Sequence, residues 1–167
     1  RTDWRTLLRP FGLSLEPLLV SDKNNEAIQW QRPEGGVAKT EAPFQIRIPP
    51  SLFDTKSLLG PNAGALLVSA LSPVRVEVKT VLAANQVFEV IATTSEHTKV
   101  LELPESQFDA SLFASAEAVP KQPWMVLLRP DDAWHGDLIV VGTPMLFHDA
   151  PYLQGGNANA AFLKTLA

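Results

Sequence analysis

The sequence predicts an α/β domain built on a mixed, partly parallel sheet flanked by helices. Three observations predict it. Two continuous apolar runs, Ala65–Leu71 and Leu138–Val141, read as strands buried on both faces, as in sheets covered by helices. Shorter segments alternate apolar with polar residues, notably Phe44-Gln45-Ile46-Arg47-Ile48 and Val74, Val76 and Val78. These suit strands with one wet face, added antiparallel. The chain then closes in the order strand, turn, strand, loop, helix, which is the order of helix-covered sheets. A chain of 167 residues suits one such domain.

In chain order, Thr2 or Asp3 can cap a short helix through Arg9, with Trp4, Leu7 and Leu8 as its apolar stripe and Pro10 past its end. Gly12 allows a turn into a short strand, Leu13–Leu15, and Leu18–Val20 is a second strand ending at Ser21-Asp22. Residues 21–39 are polar, with Asn24-Asn25 and Gly35-Gly36, and read as a surface loop containing a candidate strand at Ala27–Gln31. The alternating strand at Phe44–Ile48 stops at Pro49-Pro50. Leu52–Leu59 reads as a helical turn ended by Gly60-Pro61. The run from Ala65, the valine strand from Val74 to Val78, and Val87–Ala92 follow as strands, and Thr93-Thr94-Ser95 is a loop. Residues 106–118 read as mostly loop with a helical turn or two. Trp124–Leu128 and Leu138–Val141 are the last strands, the latter the most buried in appearance, ended by Gly142. Asn157 can cap a final helix through Leu166, with Ala161, Phe162 and Leu166 facing inward.

Composition removes several function classes. The net charge is -4 and Lys and Arg are scattered singly, so no basic face offers itself to nucleic-acid phosphates. With no cysteine, a disulfide framework, a thiolate zinc site and a cysteine nucleophile are excluded. No apolar run approaches the roughly 20 residues that span a bilayer. The chain starts at Arg1 rather than Met, which leads to the expectation of a processed or truncated piece of a longer, membrane-attached protein.

Four places could carry chemistry. Asp131-Asp132-Ala133-Trp134-His135-Gly136-Asp137 sets three carboxylates and an imidazole within seven residues. Asp131, Asp132 and His135 could ligate a hard or borderline cation, although the spacing is also that of a solvated turn between strands. Ser95-Glu96-His97 contains a hydroxyl and an imidazole, but no glycines flank Ser95 as they flank many catalytic serines. Hydroxyls bonding to the backbone of a turn explain these residues equally well. Gly155-Gly156-Asn157 could hold an anion before a helix, or serve simply as a turn and cap. Trp30 and Trp134 sit in polar segments and are candidate contact residues, because exposed tryptophan marks interfaces.

Three segments carry a resemblance. LLRPFGLSLEPLLVSD, residues 7–22, VIATTSEHTKVL, residues 90–101, and HGDLIVVGTPMLFHDAPYLQGGNANAAFLKTLA, residues 135–167, resemble in order the extracytoplasmic domain of gliding-motility-type ABC-transporter auxiliary proteins (GldG-like). The shared features are a strand ending at Asp22, a strand ending in a Thr-Ser turn, and a buried strand followed by a glycine turn and a glycine-asparagine cap. One departure is Gly142-Thr143-Pro144, where the family pattern carries Asp at the position of Thr143. The resemblance implies a flavodoxin- or glutamine-amidotransferase-like α/β fold without catalytic residues, held at the periplasmic face of the cell membrane.

These readings lead to one expectation and two alternatives. The expectation is a non-catalytic binding or coupling domain of an ABC-type transport system, without cofactor. It would contact membrane or partner subunits, and a peptide or saccharide ligand, through residues such as Ser95, His97, Trp30, Trp134 and Asn157. The first alternative is a small hydrolase, metal-dependent through Asp131, Asp132 and His135 or a serine hydrolase through Ser95. The second is an oligomerisation module with Trp30 or Trp134 in its interface.

Overall fold

The computed structural model describes residues 4–57, 59–102, 110–131, 136–146 and 158–166. These residues form eleven strands and three α-helices. Helix α1 (Trp4–Leu8) runs into a 3-10 turn, Arg9–Phe11. Gly12 closes that turn at φ 69° and donates its N–H to the Arg9 carbonyl. A Cβ there would meet Val81 and the Glu77 carbonyl within about 3 Å, so the left-handed turn and the close approach both call for glycine.

The strands make four small sheets. Strand β1 (Leu13–Leu15) pairs with β6 (Val74–Val76). Strand β2 (Leu18–Ser21) pairs with β8 (Lys99–Glu102), and β8 with β9 (Glu117–Ala118). Strands β3 (Asn25–Gln31) and β4 (Val37–Ile48) form a long hairpin, and β4 also pairs with β5 (Leu66–Ser69). Strand β10 (Pro123–Pro130) lies between β7 (Gln86–Thr93) and β11 (Leu138–Val141). Helix α2 (Val78–Ala83) leads into β7, and α3 (Asn159–Leu166) closes the chain. Single backbone bonds join the sheets. Val20 N–H reaches the Leu71 carbonyl, and Ser72 N–H and Gly142 N–H extend the links to Gly142 and Trp124 carbonyls.

Every strand pairing among the described residues is antiparallel. This overturns the expected mixed, partly parallel sheet and the flavodoxin- or glutamine-amidotransferase-like fold. The physical reason lies in the connections. Parallel neighbours need crossovers of about a dozen residues or more, whereas the links 32–36 between β3 and β4 and 131–137 between β10 and β11 are far shorter. The apolar runs are buried for another cause. Leu66, Leu67 and Val68 of β5 are fully buried because small sheets and α3 pack around both of its faces.

Strand β10 separates two cores. Met125 and Leu127 face a larger core with Phe53, Leu66, Ile91 and Phe162, while Val126 and Leu128 face a smaller one with Leu8, Leu13, Val74 and Val81. A bulge near Met125 shifts the register, so Trp124 joins Met125 in the larger core instead of alternating away from it. The Phe53 ring packs edge-on to Trp124 at 6.1 Å and lies 6.0 Å from Phe162. Each fully buried aliphatic or phenyl side chain stabilises the fold by about 1.5–3 kcal/mol relative to exposure.

Four local expectations are corrected. Val78 starts α2 and does not continue the valine strand. Residues 21–39 form most of a hairpin rather than a loop. Past Leu52, the described residues of Leu52–Leu59 are not helical; a 3-10 turn at Pro50–Leu52 overlaps the start of the segment and another, Gly60–Asn62, follows it. In the last helix Phe162 is buried but Ala161 is exposed.

Candidate functional site

Two of the segments singled out in the sequence meet at a buried carboxylate. Strand β2 buries Leu19 and Val20 and ends at Ser21, and the next residue, Asp22, is only 4% exposed. The chain then bends, as Asx residues favour. Asn24 N–H donates to Asp22 Oδ1 at 3.0 Å, and Asn25 N–H and Nδ2 donate to the Asp22 carbonyl. Pairing of β2 with β8 brings the 94–98 turn alongside. There Ser95 N–H donates to Asp22 Oδ2 at 3.2 Å.

The turn is closed by its own hydroxyls. Thr98 Oγ1 donates to the Ser95 carbonyl at 2.7 Å, and His97 N–H donates to Ser95 Oγ at 3.0 Å. Thr94 exchanges bonds with Gln122, as its N–H reaches the Gln122 carbonyl and its Oγ1 accepts from Gln122 N–H, both at 2.8 Å. With Ser95 and Thr98 buried, the turn is fixed from inside. Its outer rim carries Asn24, Ser51, Glu96, His97 and Lys121 around a shallow cleft of about 240 Å³. Glu96 and Lys121 approach at 3.5 Å and are both well exposed, so their pairing contributes little stability.

Ser95 Oγ is oriented by the backbone of its own turn, and among the described residues no hydrogen bond joins it to the His97 ring. The Asp22 carboxylate orients backbone N–H groups, not an imidazole. A nucleophile needs an adjacent base that is itself oriented, and Asp22, Ser95 and His97 are not connected in that way.

The Asp-rich segment is only partly described. Asp131 is exposed, and its N–H donates to the Asn85 carbonyl at 3.0 Å. The Asp137 carboxylate faces the Arg129 guanidinium at 3.3–3.4 Å. Asp132, Trp134 and His135 lie outside the described residues, as does Asn157. Among the described residues no three His, Asp or Glu side chains converge as a metal site. Trp30 lies on β3, registered against Ala38.

Sequence reasoning named Asp22 only as a strand end and passed over Thr98 and Asn159. Asn159 is 1% exposed, accepts from Leu67 N–H at 2.8 Å, and donates to the Leu67 and Leu146 carbonyls. It clamps α3 to β5 by imitating a strand edge. The signal was an Asn two residues past the expected cap, at the start of the closing helix. No family model matches the chain, and neither the curated proteins nor the solved structures include a significant match to it.

Proposed function

We propose that this chain is a non-catalytic binding and coupling domain of an ABC-type transport system, working at the extracytoplasmic face of the membrane as GldG-like auxiliary proteins do. The observation that carries the reading is the Asp22-held turn. A buried carboxylate and two buried hydroxyls are spent on fixing backbone, which leaves Glu96, His97 and Lys121 displayed on a rigid edge. Preorganised polar groups on a fixed turn favour docking, because little freedom is lost on binding. The resemblance supports the same reading, since the strand ending at Asp22 and the Thr-Ser turn are the residues that join here.

No helix among the described residues is long and apolar enough to cross a membrane. Membrane attachment would therefore come through other segments or through partner subunits. The test is site-specific photo-cross-linking from position 97 in the protein expressed within its native gene. A cross-link to an ABC-type membrane subunit, weakened by Lys121→Glu, is expected. Protease accessibility of the domain from the outer face of spheroplasts is expected alongside it. Exclusive labelling of cytoplasmic proteins would refute the reading.

A further inference from the structure

We propose that a cleft at the other end of β7 binds a neutral sugar ring. This extends the binding reading above by naming a ligand class. The two fail separately, because the partner-docking edge lies at residues 94–98 and is tested by cross-linking.

The cleft measures about 640 Å³ and opens where α2 turns into β7 and β10 ends. That volume lies in the range of small-ligand sites, roughly 300–1,000 Å³. Its floor is apolar, from Leu128 and Leu138, and its polar edge is formed by Asn85, Gln86 and Asp131. Phe11 completes the wall and is 37% exposed.

The rim is built before any ligand arrives. Asn85 sits at φ 53°, a left-handed conformation that asparagine tolerates. Its N–H is bound to the Leu82 carbonyl and its own carbonyl accepts from Asp131 N–H. The two sides of the polar edge are therefore tied together by backbone. Gln86 Oε1 is shielded from solvent and has no hydrogen-bond partner among the described residues. Leaving such an acceptor unpaired costs about 1–3 kcal/mol. Gln86 lines the cleft and its terminal torsion is soft, so the amide can reorient to meet a ligand donor there.

The chemistry of these groups selects the ligand. Two amide oxygens and one carboxylate fall short of the roughly six to eight oxygens that a calcium ion collects. Among the described residues of the lining the charged group is Asp131, which repels an anionic ligand. Sugar hydroxyls donate to carboxylate and amide oxygens and accept from amide N–H groups. The C–H face of a pyranose stacks on an aromatic ring, whose π face is electron-rich. Phe11 with the Leu128 floor meets the ring, and Asn85, Gln86 and Asp131 meet its hydroxyls.

The experiment is a chemical-shift titration of the isotope-labelled chain with cellotriose and triacetylchitotriose. Tetramethylammonium and inorganic phosphate serve as charged comparison probes. Saturable shifts centred on the amides of Asn85, Gln86 and Asp131 are expected with at least one saccharide. Asp131→Ala and Phe11→Leu should each weaken binding about tenfold, as the loss of one good contact predicts. Glu34→Ala, exposed between β3 and β4, should leave it unchanged. Unchanged spectra with both saccharides, shifts centred elsewhere, or a preference for either charged probe would overturn the proposal. So would variants with native spectra that bind as tightly as the parent.

Discussion

Replacing Asp22 with alanine tests whether the buried carboxylate fixes the 94–98 turn. Three contacts surround it, but they are unequal. Asn24 N–H and Ser95 N–H donate at 3.0 and 3.2 Å. Thr98 Oγ1 lies 3.3 Å from Oδ2 but only 2.7 Å from the Ser95 carbonyl. A hydroxyl carries one proton, and the shorter contact takes it, so Thr98 adds little at Asp22. Charge-assisted bonds contribute roughly 1.5–3 kcal/mol each at good geometry. These two are longer than the usual 2.7–2.9 Å or so, and about 1–1.5 kcal/mol apiece is the better figure. Asn24 is only partly buried, so water can replace its partner, whereas buried Ser95 is left with an orphan donor. The expected loss is about 2–3 kcal/mol, read by urea denaturation followed by tryptophan fluorescence. For a chain of this size that corresponds to a Tm lower by roughly 4–12 °C. Asp22→Asn retains an acceptor for one of the two donors and should fall between alanine and the parent. A loss under about 0.5 kcal/mol, the range of ordinary surface changes, would refute the account of the turn.

Asn159→Ala should cost about 3 kcal/mol in the same assay, because it strips partners from the N–H and carbonyl of buried Leu67. Gly142→Ala should cost about 2–4 kcal/mol, since its Cβ would lie 2.0 Å from the Ser72 carbonyl oxygen; calorimetric melting checks this. Trp124→Phe should cost less than about 2 kcal/mol by denaturation. The lost packing is partly offset by removing an indole N–H that is buried with no hydrogen-bond partner among the described residues.

Individual strands were legible where composition alone decides. The runs at Leu66–Val68 and Trp124–Leu128 are buried as the sequence implies. Their arrangement was not legible, because an apolar run reports burial on both faces and not what covers it. Parallel sheets with helices and small antiparallel sheets packed together give the same signal. The sequence also ranked Leu138–Val141 as the most buried strand, yet only Val140 is buried there. As an outer strand paired only with β10, it leaves three of its residues half-covered. Helix α2 was missed because Val78, Thr80 and Val81 favour strand. Tertiary packing overrides that preference, with Val81 fully buried against the turn at Gly12. At the candidate site, Ser95 and His97 were legible as a turn. Asp22 was not legible as its anchor, since the partners lie 73 and 76 residues away and no local pattern encodes such a contact.

Thr143 is fixed by its partners. An aspartate at this position would accept hydrogen bonds but donate none when ionised. Thr143 does both. It is 7% exposed, its hydroxyl donates to the Ser69 carbonyl at the end of β5, and its oxygen accepts from Met145 N–H at 3.0 Å. An ionised carboxylate could keep the Met145 bond but would face the Ser69 carbonyl with like partial charge. The threonine thus ties the turn after β11 to β5, the strand that Asn159 clamps from the other side through Leu67. The closing segment of the chain is held to β5 by two neutral polar side chains with complementary donors and acceptors. That requirement selects threonine over aspartate at this turn.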